Sequence, residues 1–234
     1  MKLAIMQPYF FPYLGYFQLI NSVDVFVVYD NVQYTKKGWF SRNQLFFNNK
    51  VEYFSISIVK DSDYLDVFER TISTNYFLKE MPKILRKIEQ NYKNAPHYNQ
   101  VYPLIKELFG FEEYNLFEYI YNALIKVLEY LEISTKIIKS STLPLDHKLK
   151  NKYRVFNIYK HLNATHYINP SGGHDLYDKK EFLENGVNLS FLEQNLPKYK
   201  QLSKEFNKGL SIIDLMMFND KSEITKMLDT YRLT

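Results

Sequence analysis

Short apolar runs alternate along this chain with longer stretches in which apolar residues recur every three or four positions. Leu3-Ala4-Ile5-Met6 reads as a short, fully buried strand, ended by Pro8 because proline cannot donate to a sheet ladder. Phe11 to Ile20 predicts a helix: Leu14, Phe17, Leu19 and Ile20 supply its apolar positions and Pro12 is tolerated in a first turn. Val23 to Tyr29 is β-branched and aromatic, the composition of a central strand. Strand, short helix and strand in so short a span predict a βαβ unit with a right-handed crossover.

Gln44 to Phe47 and Val51 to Ile58 alternate about Asn48-Asn49, which predicts a hairpin. From about 64 to 131 the spacing becomes helical, in Leu78 to Tyr92, Val101 to Phe109 and Leu116 to Leu131, with no strand between them. That long run predicts a mainly helical insertion or subdomain. Alternation then returns, with strands at Thr135 to Ile138, Thr165 to Ile168 and Val187 to Leu192. Helices are expected at Lys152 to Leu162, Asp178 to Glu184, Ile212 to Phe218 and Ser222 to Tyr231. Strands alternating with helices argue for an α/β fold with a mainly parallel sheet covered on both faces.

Composition narrows the chemistry. The 234 residues suffice for one sizeable core, and the hydrophobic and charged fractions are those of an ordinary soluble globular protein. Tyr and Phe are abundant, 21 and 18 against a single Trp, in company with the Asn, Lys and Ile that AT-rich coding favours. The absence of Cys excludes disulfides, a thiol nucleophile and Cys-based zinc sites. The five histidines show no metal-ligand spacing, so neither a metal nor a cysteine-based cofactor is expected. No signal peptide or membrane-spanning run is evident, and a cytoplasmic protein is expected. The net charge of +4 comes from lysines scattered among acids, a solvated surface more than a nucleic-acid footprint.

Candidate chemistry sits after the strands, where open α/β sheets bind ligands. Gln7 and Tyr9 follow the first strand, and Gly15 admits a close approach by a ligand or a neighbouring backbone. A packing notch in an aromatic core helix explains Gly15 equally well. Asp30, Gln33, Lys36, Lys37, Trp39, Arg42 and Asn43 follow the second strand, as an anion-binding set or as an exposed basic loop with one aromatic anchor. Ser140 and Ser141 follow the third strand, with Asn151 and Arg154 opening the next helix. Ser171-Gly172-Gly173-His174-Asp175-Leu176-Tyr177 follows the fourth, where His174 or Asp175 could act as base or acid and a plain turn is the alternative. If the strands are parallel, all four sets converge on one cleft.

Met6-Gln7-Pro8-Tyr9-Phe10-Phe11-Pro12-Tyr13-Leu14-Gly15-Tyr16, with Asp24, Tyr29-Asp30, Val32-Gln33-Tyr34 and Lys37-Gly38-Trp39, resembles the WbqC-like family. The resemblance continues through Ala95-Pro96, Ser140-Ser141, Asn151, Ile158 to Tyr167, Ser171-Gly172, Tyr177 and Leu210 to Asp214. It covers essentially the whole chain as one WbqC-like domain, residues 1–234. What it implies is a role in bacterial O-antigen and other surface-polysaccharide biosynthesis. The opening is also similar to that of nucleotidylyltransferases of the HIGH superfamily, which implies a Rossmann-like, HUP-like sheet. Their phosphate-binding His-x-Gly-His corresponds here to Tyr13-Leu14-Gly15-Tyr16, and a tyrosine cannot act as an imidazolium.

Together these readings lead to a metal-independent acyl- or aminoacyl-transferase acting on a nucleotide-activated amino sugar. Lys37, Arg42 and Arg154 would hold anionic groups, and Gln7, Gln33 and Asn43 would orient the acceptor. Trp39 or Tyr9 would stack a ring and Asp30 or His174 would be the base. Ser140, Ser141, Asn151, Ser171, Gly172 and Tyr177 would complete the substrate contacts. Its small-molecule partners would be a nucleotide sugar and an acyl or aminoacyl donor, with partner docking through the helical insertion as a further expectation. The alternative is a degenerate nucleotidylyltransferase-like protein that binds a nucleotide or nucleotide sugar without turnover.

Overall fold

The computed structural model describes residues 1–149 and 151–234. The chain opens as β1 (Lys2–Met6), α1 (Leu14–Asn21) and β2 (Val25–Val28), then forms a hairpin of β3 (Arg42–Phe47) and β4 (Lys50–Ser55). After an irregular stretch come α2 (Met81–Tyr92), α3 (Tyr98–Phe109) and α4 (Leu116–Tyr130). The second half runs β5 (Lys136–Lys139), α5 (Asn151–His161), β6 (His166–Pro170), α6 (Lys179–Glu184) and β7 (Asn188–Glu193). It closes with α7 (Ile212–Phe218), α8 (Lys221–Leu228) and β8 (Arg232–Leu233). No helix among the described residues is long and apolar enough to cross a membrane.

The central sheet has the order β5-β2-β1-β6-β7-β8, parallel throughout except for β8. Both faces of this sheet are buried, so its strands are apolar at nearly every position and successive side chains feed different cores. Leu3, Ile5, Val25 and Val27 point to the side covered by α5 and α6, where Val155, Phe156, Tyr159 and Phe182 pack. Ala4, Phe26 and Val28 point to the other side, where α1, α2, α3, α4, α7 and α8 build one continuous core. The helical run near 64–131 therefore shares its core with the sheet.

Local differences from the sequence reading have physical causes. The first helix begins at Leu14, three residues later than its spacing suggests. Phe11 is held in the left-handed region at φ 47, and its carbonyl accepts from Asn43 Nδ2 and Ser211 Oγ, so the chain cannot yet be helical. The helical run begins later than 64. Residues before Tyr76 form a one-turn helix at Val67–Glu69 and short antiparallel bridges, Gln33 to Asp66, Ile58 to Ile72 and Thr71 to Asn115. The final helix stops at Leu228, and Arg232–Leu233 pairs antiparallel with β7. The hairpin forms as expected, because Asn48 and Asn49 both adopt positive φ, 50 and 63, as a type I′ turn requires.

One buried charge stands away from the sheet edge. Asp214, in the first turn of α7, is fully buried and accepts from Tyr92 Oη at 2.8 Å and Tyr199 Oη at 2.7 Å. Burial pushes its carboxyl up to about 6, although both phenols favour the ionised form.

Candidate functional site

The parallel strands, counted along the sheet, run third, second, first, fourth, fifth, so connections leave in opposite directions on either side of the β1–β6 junction. Such a reversal is where doubly wound sheets open a crevice at their carboxyl ends. Here the opening is visible in the register. β1 stays paired with β2 to Met6 and Val28, and β6 with β7 to Pro170 and Leu192. Between β1 and β6 only Lys2–His166 and Leu3–Tyr167 pair. Beyond Leu3 the two strands part, and cavities fill the gap.

The first cavity, about 470 Å³, lies at the ends of β1, β6 and β7. Tyr9 and Trp39 lie tilted against each other with centroids 5.4 Å apart, and Tyr13 and Tyr16 meet Tyr9 at 6.3 and 6.0 Å. Met6, Leu19 and Leu192 add apolar wall, and Gln7, Gln44 and Gln194 contribute amides. Burial raises the phenols of Tyr9, Tyr13 and Tyr16, so all three stay neutral. None of the described residues lining this cavity is charged. Gly15 is there for room: a Cβ would come within 1.9 Å of Gln194 Oε1 and 2.6 Å of Tyr13 Cε2. An apolar, aromatic chamber with a few amides suits a neutral ring with hydrogen-bonding edges.

The second cavity, about 920 Å³, lies at the ends of β2 and β5 and is differently made. Arg154, in the first turn of α5, lies with its guanidinium 4.4 Å from the Tyr29 ring centroid and donates Nη1 to Asn31 O at 2.8 Å. Its Nη2 is buried without an acceptor. Asp66 stands on the same cavity, its carboxyl raised first by burial and then by neighbouring Glu69. Gln33, Ser141, His147, Asn151 and Tyr177 also line it. His147 Nδ1 lies 2.9 Å from Asn31 Nδ2 and its Nε2 lies 3.1 Å from Leu143 O, an arrangement that holds the ring in one orientation. A third space of about 390 Å³ lies between the two cavities, sharing Gln7 and Gly172 with the first and Tyr29 and Tyr177 with the second.

The structure thus gathers Gln7, Tyr9, Gly15, Trp39, Ser171 and Gly172 around the first cavity, and Gln33, Ser141, Asn151, Arg154 and Tyr177 around the second. Others lie behind or beside the lining. Asp30 is buried, and its carboxylate accepts from Ser140 Oγ at 2.7 Å, Ser141 N at 2.9 Å and Ser141 Oγ. It ties the end of β5 to the end of β2 and reaches the cavity only through Ser141; Ser140 is buried beside it. Asn43 is fully buried, with Nδ2 on the carbonyls of Phe10 and Phe11, so it shapes the Pro8–Tyr13 segment from beneath. Arg42 turns its guanidinium onto the carbonyls of Gly38 and Lys37 and over the rings of Trp39 and Tyr53. Lys37 is exposed outside both cavities. His174 is exposed and stacks on Phe191 at 3.8 Å, also outside them.

Tyr13, Tyr16, Gln44 and Gln194 in the first cavity, and Asn31, Asp66 and His147 in the second, were not among the sequence candidates. Gln194 follows β7 much as Gln7 follows β1, so the first uncharged polar residue after a strand was the available signal. Asp66 had none, because its place depends on a bridge to Gln33.

The model of the WbqC-like protein family matches residues 7–226. The uncharacterized protein Rv1507c of Mycobacterium tuberculosis is 28% identical over 226 residues, which covers 95% of each chain. No solved structure matches.

Proposed function

The chain belongs to the WbqC-like protein family, and from that membership and its two-chambered cleft we propose a cytoplasmic transferase of bacterial surface-polysaccharide precursor synthesis, O-antigen included. In this reading it moves an acyl or aminoacyl group onto the amine of a nucleotide-activated amino sugar. The observation that carries it is an uncharged aromatic chamber and a charged one at the same sheet edge, each sharing lining residues with a third space between them. The first suits a sugar ring stacked on Trp39 or Tyr9 and held by Gln7 and its neighbouring amides. The second suits the polar head of a donor, held by Arg154, Asn151 and Ser141.

The chemistry needs little beyond alignment. The amine attacks the acyl carbonyl, a C–N bond forms, and the bond from the carbonyl carbon to the leaving group breaks. Holding the two reactants in line is the main requirement. Ser141 Oγ stands at the cavity with Asp30 behind it, so the hydroxyl can accept the proton of the amine while passing its own to Asp30. Asp30 is then the proton acceptor by relay, and the leaving group departs as the thiolate or phosphate anion.

The test incubates the purified protein with uridine-diphospho amino sugars and, separately, coenzyme A thioesters or aminoacyl adenylates, and reads the sugar nucleotide by mass spectrometry. A mass gain equal to the acyl group, absent in Trp39→Ala, supports the transferase. Tight ATP or CTP binding by calorimetry, with no sugar dependence and no product, supports a nucleotide-binding protein without turnover. That second reading is favoured by the strand order, a doubly wound sheet with its reversal at β1 and β6.

A further inference from the structure

Among the described residues, Arg154 is the one cation lining the second cavity, and Asp66 is the one carboxylate. They share the cavity without forming an ion pair with each other or with any other described residue. Of the five N–H bonds of the Arg154 guanidinium, one reaches a protein acceptor, the carbonyl of Asn31. The group is nevertheless fixed, because it lies over the Tyr29 ring and is anchored at that one end. A donor group held in place with most of its hydrogens unspent, the buried Nη2 among them, is suited to a carboxylate.

Charge decides what else the ligand must carry. A diphosphate would bring at least two negative charges to a cavity holding one arginine and one aspartate, with Glu69 next to that aspartate. One cation cannot neutralise it while Asp66 repels it. A ligand with one carboxylate and one ammonium neutralises both protein groups. We infer that the second cavity binds an amino carboxylate, with the carboxylate on Arg154 and the ammonium toward Asp66. The inference rests on reading the cleft as a substrate site, and it puts a free amino carboxylate in this chamber in place of an activated donor, whose acyl carbon carries no free carboxylate. Ser141, Asn151 and Tyr177 border the same cavity and supply neutral hydrogen-bonding groups to the rest of that molecule. Burial of Asp66, which already disfavours its charge, adds to the gain from an arriving ammonium.

The experiment titrates the full chain with each free amino acid by calorimetry, then repeats the best binder with its amine acetylated and with its carboxylate esterified. Blocking either end is expected to weaken binding roughly tenfold or more, as loss of a charge-assisted contact in a partly buried site does. Arg154→Gln should lose discrimination against the ester. Asp66→Asn, which preserves the helix cap at Val67–Glu69, should lose discrimination against the acetylated form. Both variants are melted beside the wild type so that a folding defect is seen as such, and Arg154→Lys serves where Gln fails to fold, with intermediate discrimination expected. No binding of any amino acid, or equal binding of free and acetylated forms, overturns the inference. So does pyrophosphate binding that Arg154→Gln removes. Uridine-diphospho sugars are titrated in parallel. If they bind and amino acids do not, the inference fails while the cleft remains a substrate site; if neither binds, the cleft reading fails as well.

Discussion

Leu3 and Tyr167 are the last paired residues between β1 and β6, although both strands continue for three residues beyond them. A sheet that is closed at one end of this junction and open at the other exposes two strand ends to a ligand. Gln7 and Gly172 occupy those two ends and both border the space between the cavities.

Gly15→Ala separates room from stability. The two atoms nearest a new Cβ belong to the side chains of Gln194 and Tyr13; Gln194 is exposed and can swing away, but the half-buried Tyr13 ring, at 2.6 Å, must also shift. Moving that ring costs about 1–3 kcal/mol, which the better helix propensity of alanine offsets by about 1 kcal/mol, so a net loss of up to about 2 kcal/mol is expected. Ligand binding in the first cavity should nonetheless weaken clearly, because the displaced amide and the methyl occupy its floor. Urea unfolding alongside calorimetry checks this, and unchanged affinity would show that the ligand does not approach Gly15.

Asp214 makes stability depend on pH in an unusual direction. Its folded value of about 6 lies above the ordinary 3.8, so the native state holds the proton more tightly than the unfolded chain. The contribution is fully present below about pH 3.8 and is lost as pH rises through about 6. By neutral pH the loss amounts to roughly 3 kcal/mol. Asp214→Asn should therefore remove that part of the slope, so that the variant gains on the wild type between pH 4 and pH 7. Parallel urea curves whose separation stays constant with pH would refute the assignment.

Asn43 offers a sharper contrast than a simple truncation. Its amide donates to the carbonyls of Phe10 and Phe11, and its oxygen accepts from Gln44 N. Asn43→Ala leaves those buried groups without partners and should cost about 2 kcal/mol. Asn43→Asp places a buried negative charge against two carbonyl oxygens and should cost more. Chemical denaturation of both variants ranks them, and the reverse order would mean that the segment from Pro8 to Tyr13 relaxes around the change.

Asp30→Asn tests the junction of β2 with the turn after β5. Three donors now converge on the carboxylate, and an amide can accept at only one oxygen. A loss of roughly 1–3 kcal/mol is expected, with a fall in transfer rate beyond it because Ser141 loses its proton acceptor. Ser140→Ala is the control: it should destabilise without abolishing transfer. An Asp30→Asn protein that unfolds and turns over like the wild type would remove Asp30 from both roles.

The frame of the fold was legible because burial on both faces writes itself into short apolar runs. Val25–Val28 and the hairpin about Asn48 and Asn49 follow directly from such local signals. What stayed hidden depends on distant partners. Asn43 and Trp39 belong to one polar and aromatic stretch, yet Asn43 is fixed under a segment more than thirty residues away while Trp39 faces the cavity. Arg42 and Arg154 are both cations after strands, but carbonyls of the Lys37–Gly38 loop engage the first from two sides and leave the second largely free. A sequence records that a charge exists, and only the folded chain decides how much of it is already spoken for. β8 escaped because two residues are too few to carry a pattern.

The hairpin of β3 and β4 forms its own two-stranded sheet, separate from the six-stranded one, and the loop leading into it carries Trp39 over the first cavity. The second cavity takes its charged residues from elsewhere, Asp66 beyond the hairpin and Arg154 on α5. Changes in the loop can therefore alter what one chamber accepts while the other keeps its ligand. In descent, a lineage can thus change what one chamber admits while the other is kept.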